Sequence, residues 1–422
     1  MSSEVYDYAM DCFGSCPICN LTIPSYLLQR HANSHFEDDD DDIVSCVDEY
    51  LAVSQSLSLS QTHRSNYNNA MDEKISSLIG LQSTSSHHPV NDEGGLMALL
   101  FKCFELDVNL MHKKTKSNTV LLCGYVDHFH CMPSEDLGWG CGWRNIQMLS
   151  SHLLRRESAR EVLFGGCGYV PDIPSLQRWL EIAWQKGFDA PGSLHFNHSI
   201  HGSQHWIGTT ECAALFRSFG LRAKIVDFDS APNLNSTKTT ITSRTTGGNK
   251  GKVTFQVYGP MDRYLQRDTS SISAPETDAL ARDKSHFSSK NDFSHALVDW
   301  VWNYFSDGIK IPFSRSSSVI ATDRMPLYFQ HDGHSRTIVG IEVKRQQIGT
   351  SKYNLLILDP AHRTEALEIA LKDNVGWEKL IKRGVHTLKK AQYQLCYVEP
   401  GIATRQEEME QLKTLDSVLI EF

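Results

Sequence analysis

Five short runs rich in β-branched and aromatic residues are crowded into the carboxyl-terminal half of the chain: RAKIVDF (222 to 228), MPLYFQ (325 to 330), RTIVGIEV (336 to 343), NLLILD (354 to 359) and YQLCYVE (393 to 399). Each is bounded by turn residues and reads as a strand. Helical spacing comes before them. Leu96, Leu99, Leu100, Cys103 and Phe104 recur on one helical face, and residues 141 to 154, 174 to 186 and 211 to 219 continue the pattern with cap or first-turn proline signals. Helices first and strands later specify an α+β fold. Between residues 229 and 291 the strands are interrupted by a Ser/Thr/Lys/Asn-rich stretch, SAPNLNSTKTTITSRTTGGNKGK among it, which reads as a disordered surface insertion.

The chain of 422 residues, 40% hydrophobic, has enough apolar side chains for one large body beginning near Leu96 (96 to 422) and a smaller module before it. Its formal net charge is -9, and six acidic residues sit in one run from Glu37 to Asp42. The rest is near neutrality, which argues against polyanion binding. The amino terminus has no basic and apolar leader, and no apolar run is long enough to cross a bilayer. The eleven cysteines are odd in number and scattered, so reduced thiols in the nucleus or cytoplasm are expected.

Residues 12 to 36 contain Cys16-x2-Cys19-x11-His31-x3-His35. Two close thiolates followed by two imidazoles one helical turn apart can close a tetrahedral site, so Cys16, Cys19, His31 and His35 are expected to hold a structural Zn2+ in a ββα finger, with Ile23 and Leu28 as its small core. An acidic run beside a single finger opposes phosphate binding, so its partner is expected to be a protein. Residues 37 to 95 read as an acidic, then polar linker with some helix. Within it Ile43, Val47 and Leu51 fall on one helical face beside acidic residues, in the manner of a ubiquitin-binding helix.

The segment EDLGWGCGWRNIQMLSSHLL frames Cys141 with Gly138, Gly140 and Gly142 and starts an amphipathic helix at the cysteine. Free N–H groups at a helix start favour thiolate over thiol, so a depressed pKa is expected there. A packing cysteine would satisfy the same local pattern. What favours chemistry is the company further along: His331 and His334 enter one candidate strand, and Asp359 leaves the next. If those strands pair antiparallel, His334 and Asp359 meet at one sheet edge. His334 then acts as base for Cys141, Asp359 orients its imidazole, and Gln330 offers an amide to the oxyanion.

GWGCGWRNIQ, WIGTTECAALFRSFGLRAKIVDF, QHDGHSRTIVGIE and LLILDPAH, in this order, resemble the family of proteases specific for the ubiquitin-fold modifier, and within it the zinc-finger branch. The resemblance implies a papain-like cysteine peptidase with Cys141, His334 and Asp359 as triad and Gln330 in the oxyanion hole. It also implies a deubiquitinase cutting lysine-63-linked chains, in nucleus and cytoplasm, during DNA-damage responses. Its partners would be polyubiquitin chains and ubiquitinated proteins.

Two departures separate the branches. Modifier-specific members have Asp-Pro-His, whereas Asp359-Pro360-Ala361-His362 is one residue longer, leaving His362 as the alternative base. Those members also carry an oxyanion tyrosine before the cysteine, near where Phe129 stands here. A ubiquitin-fold-modifier peptidase therefore remains the second reading, and a non-catalytic modifier binder the third.

Overall fold

The structure is a computed structural model and describes residues 13–15, 22–24, 71–80, 88–89, 95–111, 117–229, 255–256, 289–309, 318–345 and 351–421. Within them helices and a large sheet form a mixed α and β body. The elements that build the site are strands β1 (Ser117–Leu122), β2 (Leu221–Asp229), β3 (Leu327–His331), β4 (His334–Arg345), β5 (Ser351–Leu358) and β6 (Gln392–Ile402), with helices α1 (Cys141–Leu153) and α2 (Thr209–Arg217).

The sheet runs Lys382–Gly384, β5, β4, β3, β6, β2, Ser417–Glu421, Phe255–Gln256, and β1 joins it beside β4, with Ser318–Ala321 on its other side. The pairings are antiparallel except Ser417–Glu421 with β2 and β1 with Ser318–Ala321. β4 is the organising strand. One edge pairs with β5, with an irregularity between Ile338 and Gly340, while the other pairs first with β3 and then, from Gly340, with β1. Ile338, Val339 and Ile341 are buried, so consecutive side chains are covered, as expected of a strand enclosed on both faces.

A two-residue turn sets the register that matters. Asp332 and Gly333 both have positive φ, 40° and 77°, as a type I′ hairpin requires and as an Asp-Gly pair readily supplies. That turn places His334 opposite His331, Ser335 opposite Gln330 and Thr337 opposite Tyr328.

Each strand expected from the sequence is found with its bounds shifted by a few residues, and so are the four expected helices, as Gly95–Met111, α1, Ile173–Gln185 and α2. Within the expected insertion, Phe255–Gln256 pairs with Ser417–Val418, and a helix begins at Ser289. Its remaining residues lie outside the described ones.

A helix over 71–80, in the span read as linker, buries Met71 and Leu78 in the main core, at about 1.5–3 kcal/mol for a fully buried side chain of this kind. Phe13–Ser15 and Thr22–Pro24 form an antiparallel pair on either side of Cys16 and Cys19 in the sequence. The expected zinc ligands Cys16, Cys19, His31 and His35, and the apolar stripe Ile43, Val47 and Leu51, lie outside the described residues.

Candidate active site

Cys141 is the first residue of α1 and is buried. A local latch holds the turn before it. Asp136, almost wholly buried, accepts from Arg144 through both oxygens, Nε to Oδ2 at 2.9 Å and Nη2 to Oδ1 at 2.6 Å, and also from the Met132 N–H. Bidentate pairing fixes orientation as well as distance. One turn into the helix, Asn145 Nδ2 donates to the Cys141 carbonyl at 2.7 Å and to Ser335 Oγ at 3.0 Å, while Thr337 Oγ1 donates to Asn145 Oδ1 at 2.7 Å. These bonds tie α1 to one face of β4. Gly142 permits the closeness: a Cβ there would lie 2.6 Å from Ile207 Cγ1 and 2.8 Å from the Ile207 carbonyl oxygen.

Ser335, buried on β4, is joined to Cys141 through Asn145, which donates to the Ser335 hydroxyl and to the Cys141 carbonyl. Gln330 lies across from Ser335 on β3 and shares its face, because directly opposed residues point to one side of a sheet. The Thr209 N–H at the start of α2 donates to Gln330 Oε1 at 2.9 Å. An N–H can only donate, so the amide oxygen is turned toward α2 and Nε2 is the end left to face elsewhere. Gly208 is required there, since a Cβ would meet Gln330 Oε1 at 2.5 Å.

His334 and Arg336 alternate with Ser335 and Thr337, so they project to the other face of β4. The His334 ring centroid is 5.8 Å from that of His331 and 6.4 Å from that of Trp206, the residue before Ile207. Thr337 pairs with Leu358, which sets Arg336 level with Asp359 across β4 and β5. Arg336 Nε donates to Asp359 Oδ2 at 2.5 Å and the Ala361 N–H donates to Oδ1 at 3.0 Å. The expected meeting of His334 with Asp359 is corrected: the register gives Asp359 to Arg336, and His334 is one step away on the same face, roughly 7 Å along the strand. Arg336 Nη1 also donates to His331 Nε2 at 2.8 Å, which fixes that nitrogen as unprotonated.

The loop carrying Asp359 is strapped to the segment before Cys141. His128 Nε2 bonds the Asp359 carbonyl at 3.0 Å, His128 and His130 both reach Thr364 Oγ1 at 2.9 Å, and the Cys131 N–H donates to the Pro360 carbonyl. Nucleophile turn and carboxylate loop thus move as one body. His362 lies in the same turn, its N–H donating to the Asp359 carbonyl. Phe129 is buried and has no hydroxyl to offer.

Burial would push the Asp359 carboxyl up, but Arg336 outweighs it and, with the Ala361 N–H, holds the group well below the ordinary carboxylate range. Burial followed by Arg336 holds His331 well below the usual imidazole value, so it is neutral. His128 is pushed down to about 4, chiefly by burial. For Cys141 the expectation of a depressed pKa is corrected. Burial raises the thiol above its ordinary value even though Ser335 opposes it. Desolvation of a thiolate inside the packed helix start outweighs the helix-terminal N–H groups.

Two participants escaped the sequence reading. Arg336 was findable, being two residues beyond His334 and therefore on its face. Asn145, four residues after Cys141, was findable as a neighbour on the helix, but its bonds to Ser335 and Thr337 depend on a register that only the fold provides.

A helix-initial cysteine joined to a strand that carries a histidine, with an arginine-held aspartate at the end of the next strand, is the arrangement of a cysteine-type peptidase. The chain belongs to peptidase family C78, whose family model matches residues 115–396. It is similar to Zinc finger-containing ubiquitin peptidase 1 of Homo sapiens, 26% identical over 440 residues, which is 93% of this chain and 64% of that protein. Ubiquitin carboxyl-terminal hydrolase mug105 of Schizosaccharomyces pombe is 27% identical over 280 residues, 66% of this chain and 82% of that protein. Ufm1-specific protease 1 of Mus musculus is 33% identical over 102 residues, 24% of this chain and 38% of that protein.

Proposed function

We propose that this chain is a cysteine-dependent deubiquitinase of papain-like fold that hydrolyses isopeptide bonds in lysine-63-linked ubiquitin chains. The observation that carries it is Cys141 at a buried helix start, tied through Asn145 to Ser335 of β4, the strand on which Ser335 is flanked by His334 and by Arg336, the partner of Asp359. The human and fission-yeast relatives, both named for ubiquitin, support the substrate class.

In this mechanism His334 takes the proton from Cys141 Sγ as the sulfur attacks the carbonyl carbon. Gln330 Nε2 donates to the resulting oxyanion. Collapse expels the amine, which takes the proton back from His334, and water, deprotonated by His334, then releases the carboxylate and regenerates the thiol. Asp359 remains ionised, and because its oxygens are held by Arg336 and the Ala361 N–H it acts on the charged face of His334 through Arg336 and not by a direct hydrogen bond to the imidazole. A thiol raised by burial is neutral at rest, so proton transfer to His334 accompanies attack.

Incubation with lysine-63-linked tetra-ubiquitin and with a ubiquitin-fold-modifier precursor tests the reading. Cleavage of the first, absent in Cys141→Ala, is expected. Processing of the precursor alone would establish the second reading, a ubiquitin-fold-modifier peptidase, which the mouse relative favours. Binding without hydrolysis of either would leave a modifier-binding protein. For the amino-terminal module the proposal is structural zinc on Cys16, Cys19, His31 and His35, checked by metal content, with about one zinc per chain lost in Cys16→Ser.

A further inference from the structure

Beside His334, on the sheet face away from α1, a cleft of about 210 Å³ opens between β3, β4 and the segment 383–393. It is too small for a whole small-molecule ligand and large enough for one or two side chains. Its apolar walls are Phe329, Leu388 and Tyr393, and its charged lining is all cationic: Arg336, Arg383 and Lys390. Arg336 is committed to Asp359, and Lys390 has Asp332 at 3.9 Å.

Arg383 differs from both. Among the described residues its guanidinium donates, through Nη1, to the carbonyl oxygens of Lys379 at 2.9 Å and Lys382 at 3.1 Å, and to no carboxylate. A guanidinium has five N–H donors, so those on Nε and Nη2 are left for another acceptor. Burial lowers Arg383 below its ordinary value, with Asp359 opposing and Arg336 adding to the effect, so an anion brought here relieves a desolvated cation.

The chemistry of the reaction assigns a side to this cleft. The imidazole must return its proton to the departing amine, so the polypeptide released on cleavage lies against the His334 side of the site. We infer that the cleft is a subsite for a carboxylate side chain of that leaving polypeptide, held by Arg383, with an apolar neighbour of that carboxylate against Phe329, Leu388 and Tyr393. The inference rests on the peptidase reading of Cys141 and His334. It makes acidic residues beside the modified lysine a determinant of which conjugates are cut.

Dye-labelled peptides carrying a lysine flanked by Glu and Leu, and the same peptides with Gln for Glu, are titrated against the full chain by fluorescence anisotropy. The Glu peptide is expected to bind about tenfold more tightly, as a charge-assisted contact at a partly desolvated site provides, and the advantage is expected to shrink with salt. Arg383→Met should abolish the advantage and Arg383→Lys should keep part of it. Equal binding of the two peptides to the wild type, or an unchanged preference in Arg383→Met, overturns the subsite. Hydrolysis of a ubiquitin–aminocoumarin amide, which has no polypeptide on the leaving side, should be the same in Arg383→Met as in wild type; its loss would assign Arg383 a structural role instead. If the wild type fails to hydrolyse that amide or any conjugate, the peptidase reading falls and with it the assignment to a leaving polypeptide, while the anisotropy still decides whether Arg383 holds a carboxylate in the cleft.

Discussion

The two faces of β4 hold the same site by different means. Toward α1, Ser335 and Thr337 meet Asn145 through neutral hydroxyl and amide groups, and Gln330 is fixed by a main-chain N–H. On the opposite face, His334, Arg336, His331 and Asp359 form a set of ionisable groups. Neutral hydrogen bonds do not change with pH, so the first face fixes where the sulfur and the amide sit. The second fixes which groups carry protons. Position and protonation are thereby separated across the thickness of one strand.

Removing the base tests the charged face most severely. His334→Ala is expected to lower turnover of a ubiquitin amide by on the order of 10⁴-fold, with His362→Ala staying within a few-fold of wild type. The reverse pattern would move the base to His362 and with it the boundary between the faces.

Arg336→Met attacks protonation without touching a proposed reacting group. In the wild type Asp359 has a depressed pKa, so the stability it contributes is present above the unfolded value of ~3.9 and is lost only as pH falls through its lower folded value. Without Arg336 the buried carboxyl titrates above that ordinary value. The expected outcome is a loss of about 3 kcal/mol or more in denaturant unfolding and a new acidic limb in the pH profile of kcat/KM. A variant with an unshifted profile would make Arg336 a purely structural partner.

Gln330→Ala belongs to the neutral face and has the smallest expected effect. A lost oxyanion donor should reduce kcat by about 10²-fold at unchanged KM and leave the pH profile in place. A shifted profile would show that the two faces are not independent.

The sequence made the elements legible far better than their alignment. Strand runs and the Gly-framed Cys141 could be read because alternation and helix starts are local signals, and the Asp332-Gly333 turn could have been read the same way. Residues 346–350, between β4 and β5, carry no comparable turn signature, so nothing local said that Arg336 rather than His334 would be level with Asp359. The depressed Cys141 pKa was expected from the helix start alone, and the opposing burial depends on side chains from distant strands. The helix over 71–80 shows the same limit: its polar surroundings hid Met71 and Leu78, whose seat is formed elsewhere.

The Asp136–Arg144 latch spans eight residues, whereas Asn145 reaches Ser335 across 190. Loop-closure entropy makes contacts as local as the first quick to form and those as distant as the second slow. During synthesis the turn that presents Cys141 can therefore be assembled while β4 is still unmade. Ser335 and His334 are neighbours on β4, so the turn that presents Cys141 meets both when that one strand is laid down.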